Sequence, residues 1–264
     1  MRRAMIFAYG LLCYGIFLVS FVYAVGFVAN AGVPKSIDTG PAGGALTALL
    51  VDAALLSLFA LQHSGMARRA FKRRLTRLVP PAAERSTYVL ASSLILLAMF
   101  WLWRPLPSTI WAVRGAAARD LLWAVYVAGW ATVLFGTFMI SHTQLFGLAQ
   151  VWARLRGRRM PRPQLQTRYL YRFVRHPLML GFMIAFWATP DMTVGHLLFA
   201  AGSTGYIFLA TLALEERDLE RTLGAPYRRY RERVPAFLPH IGHGVDAADL
   251  ADPSDALPQR QAES

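Results

Sequence analysis

Residues 5–29 read MIFAYGLLCYGIFLVSFVYAVGFVA, a run without a single charged side chain. An α-helix needs roughly 17–25 mainly apolar residues to cross about 30 Å of hydrocarbon, and this run is long enough. It is too long for the apolar core of a signal peptide and lacks a clear small-residue cleavage site, so we interpret it as a retained span. On its own, such a run could also be a buried helix of a globular protein.

Further apolar blocks of the same kind follow in the 264-residue chain, which is 55% hydrophobic with a mean hydropathy of +0.36. Residues 43–62 hold one charged residue, Asp52, and residues 86–103 and 121–141 hold none. Residues 192–214 contain His196 but no Asp, Glu, Lys or Arg. Repeated blocks of this length predict a membrane protein rather than a globular one.

One apolar block, residues 177–189, is too short to span a bilayer alone, and Pro190-Asp191 breaks any helix after it. We therefore predict an all-α fold: a polytopic integral membrane helical bundle with five full spans plus a short hairpin arm. Residues 1–240 are predicted to form a single domain. Residues 241–264, rich in Asp, Ala, Pro and Gln without periodicity, are predicted to be a disordered tail.

The net charge of +13 is distributed unevenly. Arg and Lys concentrate in residues 64–85 and 143–175, whereas the loops between the other span ends hold few basic residues. This asymmetry follows the positive-inside rule and predicts an inner-membrane protein with both basic loops and both termini in the cytoplasm. Anionic lipid headgroups are the expected partners of most of these arginines, rather than nucleic acid.

Cysteine usage gives little sign of redox or metal chemistry. Cys13 is the only cysteine and lies in the first apolar block, so an internal disulfide is excluded. A small packing role is the simplest interpretation of this residue. The histidines have no spacing typical of a metal site, and we predict no metal centre.

Polar residues at the ends of apolar segments are the candidates for function, because they are costly near a membrane. Arg175-His176-Pro177 opens the short arm, and Pro177 suits the first position of a helix. The free amides of such a helix start attract an anion, and Arg175 could add a bidentate contact. Glu215-Glu216 closes the last apolar block, where the helix dipole disfavours acids and a ligand role becomes attractive, more so for Glu215. Anchoring at the headgroups or ion pairing with nearby arginines is the alternative.

The carboxyl-terminal third resembles the isoprenylcysteine carboxyl methyltransferase superfamily. The similarity lies in YRFVRHPLMLG at residues 171–181, Glu215-Glu216, GAPYRRY at residues 224–230 and VPAFLP at residues 234–239. This superfamily consists of integral membrane enzymes that use S-adenosyl-L-methionine at the cytoplasmic face. The resemblance implies the following cofactor-binding residues: Tyr171, Arg175, His176, Pro177, Leu178, Leu180, Glu215, Glu216, Tyr227 and Arg229.

The first two thirds are similar to the NnrU-like branch, which includes bacterial methanethiol S-methyltransferases. The matching segments are LQHS at residues 61–64, ARRAFK at 67–72, SH at 141–142 with LFGL at 145–148, and FWATPDMT at 186–193. The superfamily often has Tyr where this chain has Met179, which favours a small acceptor over a prenylated one. The resemblance implies methylation of methanethiol to dimethyl sulfide.

Three residues are candidates for catalysis: Asp52, His63 and His142. Asp52 and His63 lie 11 residues apart on one helix face, about 16 Å along the axis at 1.5 Å per residue. His142 ends the fourth block, at the same membrane depth as His63 and His176. A thiol reacts as its thiolate, so a neutral histidine is a suitable base, with Asp52 orienting a polar group deeper in the groove. A packing role for Asp52 and an interfacial position for His63 stay open.

Two other functions compete with this hypothesis. One is a membrane methyltransferase that acts on a lipid or a prenylated thiol, which a long groove open to lipid would favour. The other is a non-catalytic small transporter with Asp52 as its proton-relay carboxylate. Binding of S-adenosylhomocysteine would separate both enzymes from the transporter.

Overall fold

Long apolar helices form the body of the protein in this computed structural model, which describes residues 2–41, 43–160, 165 and 167–239. Within that part of the chain, five helical segments are long and apolar enough to cross a membrane, which confirms the predicted spans. The last one, Val194–Leu223, continues well beyond the predicted end at residue 214. The helices concerned are α1 (Arg2–Ala29), α2 (Ala45–Ala67), α4 (Glu84–Leu102), α5 (Ala116–Ile140) and α9 (Val194–Ala210).

Short elements connect the spans and cap the two ends of the bundle. A 3₁₀ turn at Pro81–Ala83 leads into α4, and a π-helical segment at Thr211–Glu215 carries α9 into α10. A second 3₁₀ turn, Tyr169–Arg172, precedes the short arm. The remaining elements are α3 (Arg69–Leu75), β1 (Thr109–Ala112), α6 (His142–Leu145), α7 (Leu148–Arg156), α8 (Pro177–Trp187), β2 (Asp191–Thr193), α10 (Glu216–Leu223) and α11 (Ala225–Arg233).

The outer surface of the bundle is apolar, as expected of a protein solvated by lipid. Large side chains such as Leu12, Val22, Leu121 and Phe135 are each more than 60% exposed. A water-soluble protein rarely presents so much contiguous apolar surface. The interior is instead rich in buried aromatic side chains: Phe27, Phe100, Trp103, Trp130, Phe186 and Phe199.

The short arm α8 is the predicted one, and it packs mainly along α5, with its hairpin partner α9 contributing less. Glycines make the close approach to α5 possible. A Cβ added at Gly129 would lie 2.7 Å from the Ala185 backbone nitrogen. One at Gly181 would lie 2.8 Å from both the Gly129 carbonyl oxygen and the Val133 nitrogen. Backbone-to-backbone packing of this kind is typical of small residues in membrane helices.

One end of the bundle is closed by a two-stranded antiparallel ribbon, which the sequence did not predict. β1 pairs with β2 so that Trp111 lies opposite Met192 and Ala112 opposite Asp191. At the same end, Lys35 Nζ donates hydrogen bonds of 2.6 Å to the carbonyls of Trp101 and Trp103. The ammonium group thus provides a partner for carbonyls at the C-terminal end of α4, where the helix dipole favours a positive charge.

The opposite end collects the ends of α2, α5 and α9 and the starts of α4 and α8. Here α6 and α7 fold back along the first part of α1. A Cβ at Gly10 would lie 2.6 Å from Val151, and one at Gly157 would lie 3.3 Å from the Arg3 guanidinium. This end therefore carries both basic segments. The single domain predicted for residues 1–240 stays a prediction, and so does the disordered tail, since residues 240–264 lie outside the described residues.

Candidate functional site

Glu216 is the centre of a buried ionic network at the basic end. The π-helical segment before it shifts the helix register, so that Glu216 turns inward and is 5% exposed. Its Oε1 accepts from Arg175 Nη2 at 2.6 Å and from Arg175 Nε at 3.0 Å. His176 Nε2 lies 3.2 Å from the same oxygen. One carboxylate oxygen thus joins the last span to the start of α8, and π-helical turns often occur at functional sites.

Arg175 also holds the chain segment that follows α11. Its Nη1 donates to the carbonyls of Arg231 and Val234, both at 2.6 Å. The backbone adds two bonds, from Arg175 N to Pro235 O at 2.9 Å and from His176 N to Ala236 O at 3.1 Å. The sequence predicted that the Arg175 guanidinium binds an anion. In the structure, most of its hydrogen-bond donors are instead used by Glu216 and by the carbonyls of Arg231 and Val234.

The two neighbouring glutamates differ in a way that the sequence did not reveal. The prediction placed both at a helix C-terminus and favoured Glu215, but this position is wrong because the helix continues through the π-helical turn to Leu223. Glu215 is exposed, whereas Glu216 is buried in the network. Burial, and secondly the Glu215 carboxylate, raise the pKa of Tyr171 far above its usual range. The Tyr171 hydroxyl therefore stays protonated.

Helix α11 folds back against the loop before α8. Tyr227 and Tyr230 are each 2% exposed and pack with Val234. Tyr230 Oη donates to the Tyr171 carbonyl at 2.6 Å, while Arg229 is half-buried beside them. Within the described residues the Tyr227 hydroxyl is buried with no hydrogen-bond partner. Such a group usually has a partner, so this hydroxyl is available to a bound ligand.

His142 sits in a tight cage just after α5. Its Nδ1 lies 2.8 Å from Thr137 Oγ1, and its Nε2 lies 2.7 Å from the Tyr14 hydroxyl. The ring stacks on Phe138 with centroids 4.4 Å apart. Burial lowers the pKa of His142, so the imidazole is neutral at neutral pH. Ser141, at φ 151°, turns the chain sharply to place the ring.

His63 occupies a comparable but looser position near the end of α2. The Tyr88 hydroxyl lies 2.8 Å from its Nε2 and 3.1 Å from its Nδ1, so it approaches the ring edge between them. Ser92 Oγ lies 3.2 Å from Nδ1. Neither contact fixes which ring nitrogen carries the proton.

The structure brings two of the three predicted histidines around one aromatic cluster. Tyr88, in contact with His63, and Phe146, in contact with His142, belong to the same buried group. His176 lies apart from this cluster, in the Glu216 network. In the described part of the chain, no group of three or more His, Cys, Asp or Glu residues could hold a metal ion.

The first turn of α8 connects the two regions. Leu178 packs against α5, where a Cβ at Gly136 would lie 3.3 Å from the Leu178 Cβ, one residue before Thr137. Pro177 and Leu180 line an apolar groove of about 320 Å³, together with Thr132 of α5 and residues of the loop before α8. Of the predicted cofactor residues on α8, Leu178 therefore contacts α5, whereas Pro177 and Leu180 line the groove.

Asp52 is not brought to this site. Its Oδ1 accepts from the Arg104 backbone nitrogen at 2.8 Å, just beyond the end of α4 at the ribbon end of the bundle. The residue is fully buried, and Lys35 and Arg104 are nearby cations. These contacts join α2 to the loop after α4, which is a structural task. A shared helix face with His63 did not bring the two into one site, because about 16 Å of helix separates them. The catalytic role predicted for Asp52 stays a prediction.

We expect Asp52→Ala to destabilise the protein by about 1–3 kcal/mol, because the hydrogen bond from the Arg104 amide to the buried carboxylate would be lost. Asp52→Asn keeps an acceptor oxygen at that position and should recover most of the loss. Thermal unfolding of the detergent-solubilised variants measures both effects. Equal unfolding temperatures for Asp52→Ala and wild type would show that the bond contributes nothing.

Sequence reasoning missed the partners of the histidines. Tyr14, Thr137, Tyr88 and Ser92 lie inside apolar blocks, where aromatic and hydroxyl residues are common packing residues. Their hydroxyls become informative only when a histidine from another helix lies beside them. The phenol in the middle of α1 was the one available signal, since a buried tyrosine usually needs a hydrogen-bond partner.

Comparison with known proteins adds an independent line of evidence. Residues 51–235 match the family described as NnrU protein. The methanethiol S-methyltransferase of Mycobacterium tuberculosis is 53% identical over 239 residues, covering 90% of this chain and 98% of that protein. Methanethiol S-methyltransferase 2 of Bradyrhizobium diazoefficiens is 52% identical over 239 residues, with 90% and 92% covered. A Pseudomonas sp. enzyme of the same name is 48% identical, with 88% of each chain covered. No solved structure matches.

Proposed function

This chain belongs to the NnrU protein family, and on that premise we propose that it is a membrane methyltransferase that converts methanethiol to dimethyl sulfide. The methyl donor would be S-adenosyl-L-methionine. The observation that carries the proposal is the likeness to methanethiol S-methyltransferases along most of the chain. The polar groups gathered at one end of an otherwise apolar bundle support it, because such groups are costly in a membrane without a function.

The residues at the basic end suit this cofactor chemically. Glu215 offers an exposed carboxylate to an ammonium group or to ribose hydroxyls, and Tyr227 offers an unpartnered buried hydroxyl. The amides of Leu178 and Met179 open α8 and have no partner within the helix, which suits a carboxylate. The contacts of Glu216 with Arg175 and His176 join the last span to the start of α8 and so fix the relative positions of these groups. The bound cofactor supplies an electrophilic methyl group on a sulfonium.

The acceptor would bind beside the aromatic cluster between His63 and His142. Sulfur makes favourable contacts with aromatic rings, and Tyr14, Phe17, Tyr88 and Phe146 provide such surfaces. His142 is the better base of the two, because its orientation is fixed from both sides. A small apolar thiol needs no other recognition, and its apolar product can leave into lipid.

The proposed orientation places the basic end in the cytoplasm of the inner membrane, with both termini on that side. The charge distribution supports this orientation through the positive-inside rule. The donor is a soluble nucleotide, so a cytoplasmic site also agrees with its supply. Anionic lipid headgroups would surround the arginines at this level.

The function is tested by giving methanethiol to cells that express the chain and measuring the headspace by gas chromatography. We expect dimethyl sulfide well above the level of cells with an empty vector. Purified protein should also bind S-adenosylhomocysteine. A protein that binds S-adenosylhomocysteine, makes no dimethyl sulfide and methylates a farnesylated cysteine would have a prenylated thiol as its acceptor. Absence of both binding and product would contradict a methyltransferase.

A further inference from the structure

We propose that Tyr14 is the group that takes the proton of the acceptor thiol and passes its own proton to His142. This inference rests on the proposed function and assigns a second catalytic residue to it, on a helix outside every motif described above. The two residues are 128 positions apart, and their atoms Oη and Nε2 are 2.7 Å apart.

The hydrogen bonds around His142 fix its tautomer. Thr137 Oγ1 donates its proton to the Leu134 carbonyl at 2.7 Å. The same oxygen lies 2.8 Å from His142 Nδ1, so while its proton is on the Leu134 carbonyl it accepts there and Nδ1 carries the hydrogen. Nε2 is then bare and accepts the Tyr14 hydroxyl proton. The cage therefore presents a base whose lone pair already points at a phenol.

The surroundings of His142 leave the phenol as the path to Nε2. Phe138 stacks on the imidazole at 4.4 Å with an interplanar angle of 10°, and Phe146 lies 4.8 Å away on a tilted plane. The Tyr14 ring meets the imidazole edge-on at 5.6 Å. The histidine is 9% exposed, whereas Tyr14 is half-buried and extends into the aromatic cluster. An acceptor in that cluster would meet the phenol oxygen first.

The proton and electron balance of the step is complete. The S–H bond breaks and its proton goes to Tyr14 Oη, while the Tyr14 proton goes to His142 Nε2. The electron pair left on the thiol sulfur forms the new S–C bond to the donated methyl group, and the pair of the broken C–S bond stays on the cofactor sulfur. His142 ends as an imidazolium whose Nδ1–H remains bonded to Thr137. Once the product has left, the imidazolium releases this proton through Tyr14 to bulk water, so each turnover releases one proton.

The second tyrosine–histidine pair does not offer this geometry. Tyr88 Oη lies 2.8 Å from Nε2 and 3.1 Å from Nδ1 of His63, so its hydroxyl is shared between the two ring nitrogens. Ser92 Oγ can donate or accept at Nδ1, so among the described residues no hydroxyl fixes the His63 tautomer. The structure therefore distinguishes the two pairs, and the relay is assigned to Tyr14 and His142.

A double-mutant cycle tests the relay with purified protein, methanethiol and S-adenosyl-L-methionine. Since general acid–base groups contribute about 10²- to 10⁴-fold, we expect Tyr14→Phe and His142→Ala each to lower kcat by about 10²-fold or more. The kcat of the double variant should lie within about threefold of the kcat of His142→Ala, because the effects of substituting residues that act as a unit do not add. Losses that multiply would overturn the relay.

Two controls separate a relay from a packing effect. Tyr23→Phe removes a phenol of the same helix that donates to the Lys35 carbonyl at 2.9 Å, far from His142, and should leave kcat within about twofold of wild type. Affinity for S-adenosylhomocysteine should be unchanged in all variants, which verifies folding. Nitrogen NMR of labelled histidine should show an Nδ1–H tautomer of His142 in wild type, and an Nε2–H tautomer would also overturn the proposal.

These readouts keep the two proposals apart. A wild-type protein that binds the nucleotide but makes no dimethyl sulfide contradicts the proposed substrate, whatever the tautomer of His142. An active wild type with a fully active Tyr14→Phe variant contradicts the relay alone.

Discussion

Glu216→Ala is expected to abolish cofactor binding and to destabilise the protein by about 3–5 kcal/mol, the usual cost of removing one partner from a buried ion pair. The Arg175 and Glu216 side chains are 9% and 7% exposed, so the guanidinium would keep its charge in a site with little water. The His176 ring would lose its partner at the same time. Because these residues join the last span to α8, the loss of stability and the loss of binding should occur together.

The matched control for this prediction is Glu220→Ala, one turn further along α10. Glu220 pairs with Arg231 at 3.2 Å, but these side chains are 33% and 47% exposed. An exposed pair contributes about 0–1 kcal/mol, so the control should unfold near the wild-type temperature and bind normally. Thermal unfolding and calorimetric titration with S-adenosylhomocysteine measure both variants. A Glu216→Ala variant as stable as Glu220→Ala would show that the buried network does not hold the site together.

Gly181→Val is expected to have the second largest effect, and it should act on packing. The new Cβ would lie 2.8 Å from two backbone atoms of α5, which cannot move aside as a flexible side chain can. Overpacking costs about 1–3 kcal/mol or more, and here it must push α8 away from α5. Because Leu178 and His176 lie on or before the same short helix, cofactor affinity should fall as well.

Gly15→Val is the control for this substitution. A Cβ at Gly15, on the lipid-facing side of α1, would have nothing within 4 Å. We expect this variant to unfold within a few degrees of wild type and to keep its affinity. Equal behaviour of the two glycine variants would show that α5 and α8 are not held in close contact.

The spans were predictable because a bilayer imposes a simple requirement on sequence. A helix in hydrocarbon must satisfy its own backbone and present apolar side chains for about 30 Å, and residues 5–29 do so without a charged side chain. The short arm was predictable for the same reason, since Pro177 and Pro190 mark its limits. The ribbon of β1 and β2 was not, because its strands are too short to show a pattern.

The candidate site was predictable only in part. Motif residues indicated the right end of the bundle, but not which glutamate turns inward. That depends on the π-helical segment at Thr211–Glu215, which shifts the helix register without leaving a signal in composition. The 11-residue spacing predicts that Asp52 and His63 share a face of α2. It does not predict the contact between Asp52 and the loop after α4, because that contact depends on where α4 ends. The contact between Tyr14 and His142 joins residues 128 positions apart, and no local pattern encodes it.

The bonds from Arg175 to the carbonyls of Arg231 and Val234 have a consequence for biosynthesis. A ribosome makes the chain from the amino end, so all five spans have been synthesised before Arg231 and Val234 are added. The contacts between Arg175 and this segment must therefore be among the last to form. A prematurely terminated chain that stops just before residue 231 would contain all five spans, yet its Arg175 would lack both of these carbonyl partners.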